Sequence, residues 1–386
     1  MISVIESIEK TNRLKKKGAV LSLDIRKAFD SLSHSYLLSV YKFYNFGPKL
    51  IRWITLLSTN RKACIIIDRH ITTEIFDLER GNAQGDTISP FLFNLGYQIL
   101  LFKLELCLQI KGILKDFEEL ARASLRSLLP QAPSLDEVRS SDPKTFALAD
   151  DCTLIVELSC ENLVSIINIL NNFENISGLG CNLEKTSLMT IGEVSNIPKN
   201  IKELGLNLCN EITLLGAKIK NSGICYESNH KIVLEKVRNT ANFWKKFSLS
   251  LPGRINVAKT FLYSQINYLG CFLPFTENLV TDLSSEIGNF VMGNLNIGKG
   301  RIFDNVENGG LGLFPVKDFI YAQMCSWIKR AIDLDDLWKL ELFKSSYGTI
   351  FNIRKEHYDK NLNPILFNIA NGYEKFFLNF TSINEN

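Results

Sequence analysis

Two apolar stretches stand out in the pattern of hydrophobic and polar positions, one with two acidic residues in its middle and one that ends in an acidic residue. Residues 145–158 read Thr-Phe-Ala-Leu-Ala-Asp-Asp-Cys-Thr-Leu-Ile-Val-Glu-Leu, and residues 18–24 read Gly-Ala-Val-Leu-Ser-Leu-Asp. Branched and aromatic residues suit a pleated, half-buried surface. The first run therefore predicts two strands with Asp150 and Asp151 at the bend between them, and the second predicts a strand that leads into Asp24.

The acidic pair at this bend has two interpretations. Asp favours turns, so a solvent-exposed hairpin turn would use the same residues. Alternatively, strands that each end in carboxylates lie side by side and bring Asp24 next to Asp150. Such oxygen ligands select Mg²⁺ or Mn²⁺ over zinc, and two ions about 4 Å apart support in-line phosphoryl transfer. The pattern alone leaves both interpretations open.

The rest of the pattern predicts a mixture of strands and helices. Apolar positions at helical spacing predict helices over about 35–44 and 161–174, and a mainly helical region from 230 to about 344. Alternating runs at 61–68 and 71–78 predict paired strands, and 214–226 predicts a hairpin that closes the sheet. Because strands and helices alternate irregularly, the fold class is expected to be α+β, not a doubly wound sheet.

Composition indicates a globular protein. The 386 residues are 46% hydrophobic and 22% charged, which is enough to build two or three subdomains around a substantial core. Nine scattered cysteines without a Cys-x-x-Cys pair argue for reduced thiols and against a zinc finger or a disulfide framework. The start of the chain lacks a signal-peptide pattern and no apolar run is long enough to span a membrane, so we expect a cytoplasmic or nuclear protein.

Positive charge is concentrated between residues 229 and 259. Seven basic residues against the single acid Glu235 give this segment a net charge of +6, although the whole chain carries only +3. Its basic residues are Lys231, Lys236, Arg238, Lys245, Lys246, Arg254 and Lys259. A solvated helix face and a surface that binds a phosphate backbone both explain such a segment.

Five ordered blocks together carry a resemblance to a known family. They are Asp24 to Phe29, Arg80-Gly-Asn-Ala-Gln-Gly-Asp-Thr-Ile-Ser-Pro90, Leu148-Ala-Asp-Asp151, Ser177-Gly-Leu-Gly-Cys-Asn182 with Lys185, and Leu215-Gly216. In this order and spacing the chain resembles the reverse transcriptase of non-LTR (LINE-type) retrotransposons over roughly residues 18 to 330. The Gly309-Gly-Leu-Gly-Leu313 segment resembles the region after the polymerase core in that family.

The resemblance implies the fold of a right-hand polymerase. Residues 18–228 would form the palm, an antiparallel sheet with helices on one face, together with part of the fingers and an insertion at 116–142. Residues 229–345 would form an all-helical thumb and its C-terminal extension, flanked by an N-terminal segment at 1–17 and a tail at 346–386. The implied activity is RNA-directed DNA synthesis with Mg²⁺, or alternatively Mn²⁺, on an RNA template, a DNA primer and deoxynucleoside triphosphates.

The family's functional residues are assigned here to matching positions. Asp24, Asp150 and Asp151 would be the catalytic and metal-binding carboxylates, with Asp24 and Asp150 as direct ligands. Phe29 would exclude a 2′-hydroxyl on the incoming sugar, Gln84 and Gly85 would contact the nascent base pair and template, and Lys185 would lie near the triphosphate. The basic segment would bind nucleic acid from the thumb.

Some positions depart from the family pattern. Ala83 and Thr87 stand where the family has a basic residue and a proline, and Leu148 stands where it has Phe or Tyr. Only 23 residues precede Asp24, too few for the family's finger strands, so we expect this chain alone to polymerise poorly or not at all. Two other functions remain open, namely an inactive relic of a retroelement that binds nucleic acid, and a two-metal nuclease.

Overall fold

The computed structural model describes most of the chain. The described residues are 1–58, 60–67, 70–71, 73–113, 144–295, 298–333, 342, 353–358, 360 and 364–381. The insertion predicted at 116–142 lies outside them.

The described elements alternate irregularly between strand and helix before residue 225 and are helical after it. The strands are β1 (Gly18–Leu23), β2 (Lys62–Ala63), β3 (Ile66–Ile67), β4 (His70–Ile71), β5 (Phe76–Asp77), β6 (Thr145–Leu148), β7 (Asp151–Glu157), β8 (Ser187–Ile191), β9 (Asn207–Leu208), β10 (Glu211–Leu214), β11 (Ala217–Lys220) and β12 (Gly223–Ile224). The helices are α1 (Ile2–Arg13), α2 (Ala28–Ser31), α3 (His34–Phe43), α4 (Pro48–Ser58), α5 (Ser89–Leu106), α6 (Cys160–Ser177), α7 (Lys199–Lys202), α8 (Tyr226–Trp244), α9 (Leu251–Val257), α10 (Tyr263–Gly270), α11 (Glu277–Met292), α12 (Lys299–Phe303), α13 (Val316–Asp333) and α14 (Pro364–Thr381). A π-helical turn, Ala258–Leu262, joins α9 to α10. The predicted α+β class is confirmed.

The central sheet has the strand order β6-β7-β1-β8-β9. β1 is antiparallel to both β7 and β8, as predicted for the palm sheet, and only the two-residue edge strand β9 of this sheet runs parallel to its neighbour, β8. The β6–β7 hairpin forms as predicted, but Leu148 pairs with Asp151, so the bend consists of Ala149 and Asp150. Ala149 has a φ of +54°, in the left-handed region that a tight hairpin turn uses.

The two faces of this sheet contact different apolar cores. Successive side chains along a strand point to opposite faces. Ala19, Leu21 and Leu23 of β1 belong to a core with buried residues of α3, α5 and α6, whereas Val20 belongs to a second core. That second core contains Ile2, Ile5 and Ile8 of α1, the hairpin strands β10–β12 and the helices after residue 225. Helices therefore cover one face of the sheet, as predicted, and α1 packs against part of the other.

Three parts of the chain differ from their sequence-based interpretation. The pattern of the first 17 residues predicts a frayed helix, but α1 is anchored because Ile5 and Ile8 are fully buried. The hairpin at 214–226 does form, yet it belongs to a separate three-stranded sheet, β10-β11-β12, and does not close the central one. The tail, which has no clear sequence pattern, includes α14, and this helix packs against α13 and buries Ile365 and Ile369.

The helices after residue 225 build the second core around residues that face inward. Val233 and Val237 of α8, Ile266 of α10 and Ile287 of α11 are fully buried. The nine cysteines are free thiols, as predicted. In the described ranges, none of the helices combines the length and hydrophobicity needed to cross a bilayer.

Candidate active site

Three carboxylates lie at one end of the central sheet. The β1–β7 register pairs Leu23 with Cys152, so the next residue of β1, Asp24, lies level with Asp151, and Asp150 lies one residue further into the bend. Asp24, Asp150 and Asp151 are exposed. The predicted neighbour of Asp24 is Asp150, whereas the register gives it Asp151.

Strand alternation gives Asp151 the same face of the sheet as Thr153 of β7 and the paired Ser22 of β1. Leu23 and Cys152 point into the core formed with α5 and α6, so the residues next to them point the other way. On that other face Asp151 lines a cavity of about 450 Å³ together with Ser22 and Thr153. The cavity is also lined by Met1, Ser3, Val4, Thr145, Phe146, Ala147, Leu148, Thr213, Leu214 and Leu215. Asp151 thus borders an accessible space.

Electrostatics at the bend shows that the two adjacent carboxylates repel each other. Partial burial raises the pKa of Asp151, and the negative charge of Asp150 raises it further. Burial also raises the pKa of the Tyr97 hydroxyl, and the charge of Asp150 adds to that shift. A cation bound between these carboxylates would relieve the repulsion.

Asp24 is held in place by the block at 177–185. The Asp24 amide donates to Thr186 Oγ1 at 3.3 Å, and the Asn182 amide donates to the Asp24 carbonyl at 2.8 Å. Thr186 is fully buried and donates in turn to the Asn182 carbonyl at 2.9 Å. Sequence reasoning missed Thr186, whose only signal is its position directly after Lys185.

The same block is attached to the residues that follow Asp24. The Arg26 amide donates to the Gly180 carbonyl at 2.8 Å, and the Arg26 guanidinium donates to the Cys181 carbonyl at 2.9 Å. The exposed Lys185 lies on the turn between Asn182 and β8, and its amide donates to the Asn182 carbonyl at 3.2 Å. Lys185 is therefore carried by a turn that is bonded directly to the backbone of Asp24.

The loop at 80–90 is attached to the segment after β1. The Gly81 amide donates to the Leu32 carbonyl at 2.8 Å, and the Asn82 amide donates to the Phe29 carbonyl at 2.7 Å. Gly81 has a φ of +82°, and a Cβ there would come within 2.7 Å of the Asp30 backbone, so the close approach requires glycine.

Gln84 extends from this loop to an acidic side chain. Its amide nitrogen Nε2 donates to the two carboxylate oxygens of Asp30 at 3.1 and 3.3 Å. The sequence pattern indicates Asp30 only as a helix cap, but the cap of α3 is Ser33, which accepts from the Tyr36 amide. Gly85 follows Gln84 with a φ of +89° and open space where a Cβ would lie. The two residues predicted to contact the template thus lie in an exposed loop next to Asp30.

Phe29 is half-buried beside these groups. Its ring stacks on Phe93 of α5 with a centroid separation of 4.7 Å and an interplanar angle of 24°, and Phe93 stacks on Tyr97 at 5.5 Å. This stack fixes the ring plane, which a side chain that excludes a substituent on a sugar requires. The same contacts would also serve ordinary core packing.

The basic segment does not present all of its side chains in the same way. Lys231, Lys236, Lys245, Lys246 and Lys259 are exposed. Arg238 forms an ion pair with Glu286, with Nε and Oε1 2.6 Å apart. Arg254 donates through Nη1 to the carbonyls of Val291 and Met292, at 3.1 and 2.8 Å, at the C-terminal end of α11. The Arg254 guanidinium thus serves as a helix cap, a role that the sequence pattern did not indicate.

Comparison with known proteins gives two curated relatives along most of the chain. The Transposon TX1 uncharacterized 149 kDa protein of Xenopus laevis is 24% identical over 89% of this chain and 24% of its own length. The Pol polyprotein of the type-1 retrotransposable element R2 of Popillia japonica is 24% identical over 91% of this chain and 54% of its own length. The chain therefore spans about half or less of these relatives.

A solved structure of telomerase from Candida albicans, in complex with a fragment of telomeric RNA, shows a weak likeness. It has 12% sequence identity, a TM-score of 0.30, and coverage of 89% of this chain and 54% of the telomerase chain. A likeness this distant adds nothing to the assignment.

The family assignment rests on the sequence match. Residues 2–219, more than half of the 386 residues, match the family described as reverse transcriptase (RNA-dependent DNA polymerase). Both curated relatives are proteins of transposable elements, so the predicted resemblance to the LINE-type enzymes is confirmed. The chain belongs to the reverse transcriptase family.

Proposed function

We propose that this chain is the RNA-directed DNA polymerase domain of a non-LTR retrotransposon. It would join the primer 3′-hydroxyl to the α-phosphate of a deoxynucleoside triphosphate and release pyrophosphate. Such a reaction uses an RNA template and takes place where RNA and nucleotides occur, in the cytoplasm or nucleus. The observation that carries the proposal is that four separate sequence blocks meet around Asp24.

Each of these blocks is joined to the β1 end by a specific contact. The loop at 80–90 is bonded to the Phe29 carbonyl, and the block at 177–185 is bonded to the Asp24 carbonyl. The bend at 148–151 is brought there by the β1–β7 register. If each block were an independent surface turn, there would be no reason for blocks so far apart in sequence to be bonded to one another.

The carboxylates fit a divalent metal. Mg²⁺ takes oxygen ligands and is bound by one or two carboxylates plus substrate phosphates, so its protein site is open. Within the described ranges, no three His, Cys, Asp or Glu side chains are grouped closely enough to hold an ion by themselves. Asp24 and Asp150 would be direct ligands, with Asp151 beside them. When bound, two such ions neutralise phosphate charge and orient the attacking and leaving oxygens.

The remaining residues would position the substrates. Phe29, whose ring plane is fixed by Phe93, would exclude a 2′-hydroxyl. Gln84 and Gly85 would contact the nascent base pair and the template, and Lys185 would lie near the triphosphate. Lys231, Lys236, Lys245, Lys246 and Lys259 would contact phosphates of the template and primer. Positioning of this kind accounts for much of the rate enhancement in phosphoryl transfer.

Primer extension on a gel tests the proposal. The full chain is incubated with an RNA template, a labelled DNA primer, deoxynucleotides and Mg²⁺ or Mn²⁺, beside the variants Asp150→Asn and Asp318→Asn. Asp318 is an exposed carboxylate on α13 and serves as the control. We expect at most weak extension, equal for the chain and for Asp318→Asn, and none by Asp150→Asn. The latter should stay folded because the change removes a repulsion. Extension by Asp150→Asn would overturn the site.

One observation favours a second candidate, a relic that binds nucleic acid without catalysis. Leu148 lines the cavity next to Asp151 with 61% of its surface exposed, where the family has an aromatic ring. Binding of template and primer by the full chain without extension under any metal condition would favour this candidate.

A further inference from the structure

Four aromatic side chains, three of them exposed, form a contiguous cluster on the helices after residue 225. Phe243 and Trp244 end α8, Phe247 lies on the turn that follows it, and Phe261 lies on the π-helical turn. We call these four residues the aromatic strip. Their ring centroids are 5.7 Å apart for Phe243–Trp244, 5.5 Å for Phe243–Phe247, 5.5 Å for Trp244–Phe247 and 4.9 Å for Trp244–Phe261.

The strip is exposed to an extent that is unusual for phenylalanine. Phe243, Phe247 and Phe261 expose 53%, 50% and 41% of their surface, whereas Trp244 is half-buried and packs against the core. Phe is among the residues most often buried, and contiguous exposed apolar patches mark interaction sites. The strip therefore has a rigid base, Trp244, and three rings that a partner can reach.

All charged residues close to the strip in sequence are basic. No Asp or Glu occurs between Glu235 and Glu277, a stretch that contains the whole strip. Lys245 and Lys246 lie between Trp244 and Phe247 in sequence and are exposed. On the neighbouring α11, the charges of Asp282 and Glu286 act on Arg238.

The charged surface continues beyond the strip to a fifth ring. Lys259 precedes Phe261 on the π-helical turn, and its Nζ lies 5.8 Å from the centroid of Phe314. Phe314 exposes 59% of its surface. Lysines thus lie next to aromatic rings in sequence at 243–247 and in space at Phe314.

We infer that the aromatic strip binds unpaired bases of a single-stranded nucleic acid, with the adjacent lysines on its phosphates. Flat exposed rings next to lysines match such a strand, because every base has a face that stacks on an aromatic ring. In a duplex the bases already stack on one another, so a duplex would use the lysines but not the rings. The inference rests on the proposed function, and it identifies the form of nucleic acid that this surface takes.

The test is a binding measurement that needs no catalysis. The full chain with Asp150→Asn is titrated, without nucleotides, against a labelled mixed-sequence RNA strand and against an abasic strand of the same length and charge. We expect Phe247→Leu to bind the normal strand about tenfold more weakly and the abasic strand unchanged, since one stacked base has this effect on affinity. Phe247→Tyr keeps a ring and should bind as the parent does. Phe43→Leu is the matched control, because Phe43 is 73% exposed on α3.

Each alternative occupant gives a different result. Equal weakening for normal and abasic strands, or no weakening by Phe247→Leu, would overturn the inference. Phe247→Leu should also leave the sedimentation coefficient of the free chain unchanged, and a shift there would instead identify a second copy as the occupant. Primer extension is scored separately, on the chain with Asp150 intact. Base-dependent binding without extension would contradict only the proposed polymerase activity. Extension without base-dependent binding would contradict only the inference about the aromatic strip.

Discussion

The Gln84 side chain donates both of its hydrogen bonds to the Asp30 carboxylate, at 3.1 and 3.3 Å, across 54 positions of sequence. Asp30 follows the strand that carries Asp24, and Gln84 lies in the loop proposed to contact the template. The contact therefore links the orientation of the Gln84 amide to the segment that follows Asp24.

We predict that Asp30→Ala impairs extension through Gln84 and not through the fold. Without the carboxylate, the Gln84 amide is free to rotate, so extension should fall about tenfold, as expected when roughly 1.4 kcal/mol of positioning energy is removed. The free energy of unfolding should change by less than about 1 kcal/mol, because the contact is exposed. Gln84→Ala should have the same effect, and the double variant should be no worse than either single one. Additive effects in the double variant would show that the two residues act independently.

Much of the proposed site could be predicted from the sequence because it consists of strand ends. Asp24 and the pair Asp150–Asp151 each follow or begin an apolar run of four to seven residues. The short length and the branched and aromatic residues of these runs favour a strand over a helix. The identity of the neighbour depends on register, which a single residue of offset changes, so Asp151 could not be identified from sequence as the residue level with Asp24.

The contacts made by the basic residues could not be predicted in the same way. Arg254 and Lys259 contribute the same charge to the same segment, yet only Arg254 reaches carbonyls at 291–292, 37 and 38 positions away. The placement of the 214–226 hairpin in its own sheet has the same cause, since pairing between strands is a property of the folded chain and not of local pattern.

A second prediction concerns the sugar of the incoming nucleotide. Phe29→Val opens space beside the stacked ring of Phe93, so the ratio of ribonucleotide to deoxyribonucleotide incorporation should rise. Removing the Phe29 ring should also lower the free energy of unfolding by about 1–2 kcal/mol. Single-nucleotide extension with each substrate measures the ratio. Phe46→Val is the matched control, because Phe46 is a half-buried ring stacked on Tyr41 at 5.8 Å. If Phe46→Val raises the ratio of ribonucleotide to deoxyribonucleotide incorporation equally, Phe29 has no specific role in excluding the 2′-hydroxyl.

A third prediction uses the pH dependence of stability. Burial, with a further contribution from the charge of Glu6, raises the pKa of Glu9 from 4.5 to about 8, although Arg13 opposes the shift. The folded chain therefore keeps a proton on Glu9 that the unfolded chain releases. The stability from this proton is fully present below pH 4.5 and is lost as the pH rises through about 8.

Glu9→Gln should remove that pH dependence. Between pH 5 and pH 9, the free energy of unfolding of the parent chain, measured with urea, should fall by at most about 5 kcal/mol through this group. The variant should not show this fall. The variant should consequently be the more stable of the two at pH 9. Glu227→Gln removes an exposed carboxylate and should leave the pH dependence of the parent unchanged. If the free energy of unfolding depends on pH equally in Glu9→Gln and in the parent, Glu9 is not the group that holds the proton.

The last prediction separates two kinds of basic residue in the segment at 229–259. Lys245 and Lys246 are exposed, so reversing both charges to Glu should weaken binding to different sequences about equally. It should also flatten the dependence of log Kd on log salt by roughly 1 for each phosphate that the variant no longer neutralises. Binding with an unchanged slope would return these lysines to a solvated helix face.

Arg254 should behave in the opposite way, because its guanidinium is committed to the end of α11. Its Nη1 donates to two carbonyls there and occupies the space next to Gly293, where a Cβ would come within 2.0 Å. Arg254→Ala leaves those carbonyls without their donor, so the free energy of unfolding should fall by about 2–3 kcal/mol. The salt slope of nucleic-acid binding, measured where the variant is still folded, should not change. Urea unfolding and a salt titration on the same preparation decide the matter, and a lowered slope at unchanged stability would make Arg254 a phosphate-binding residue after all.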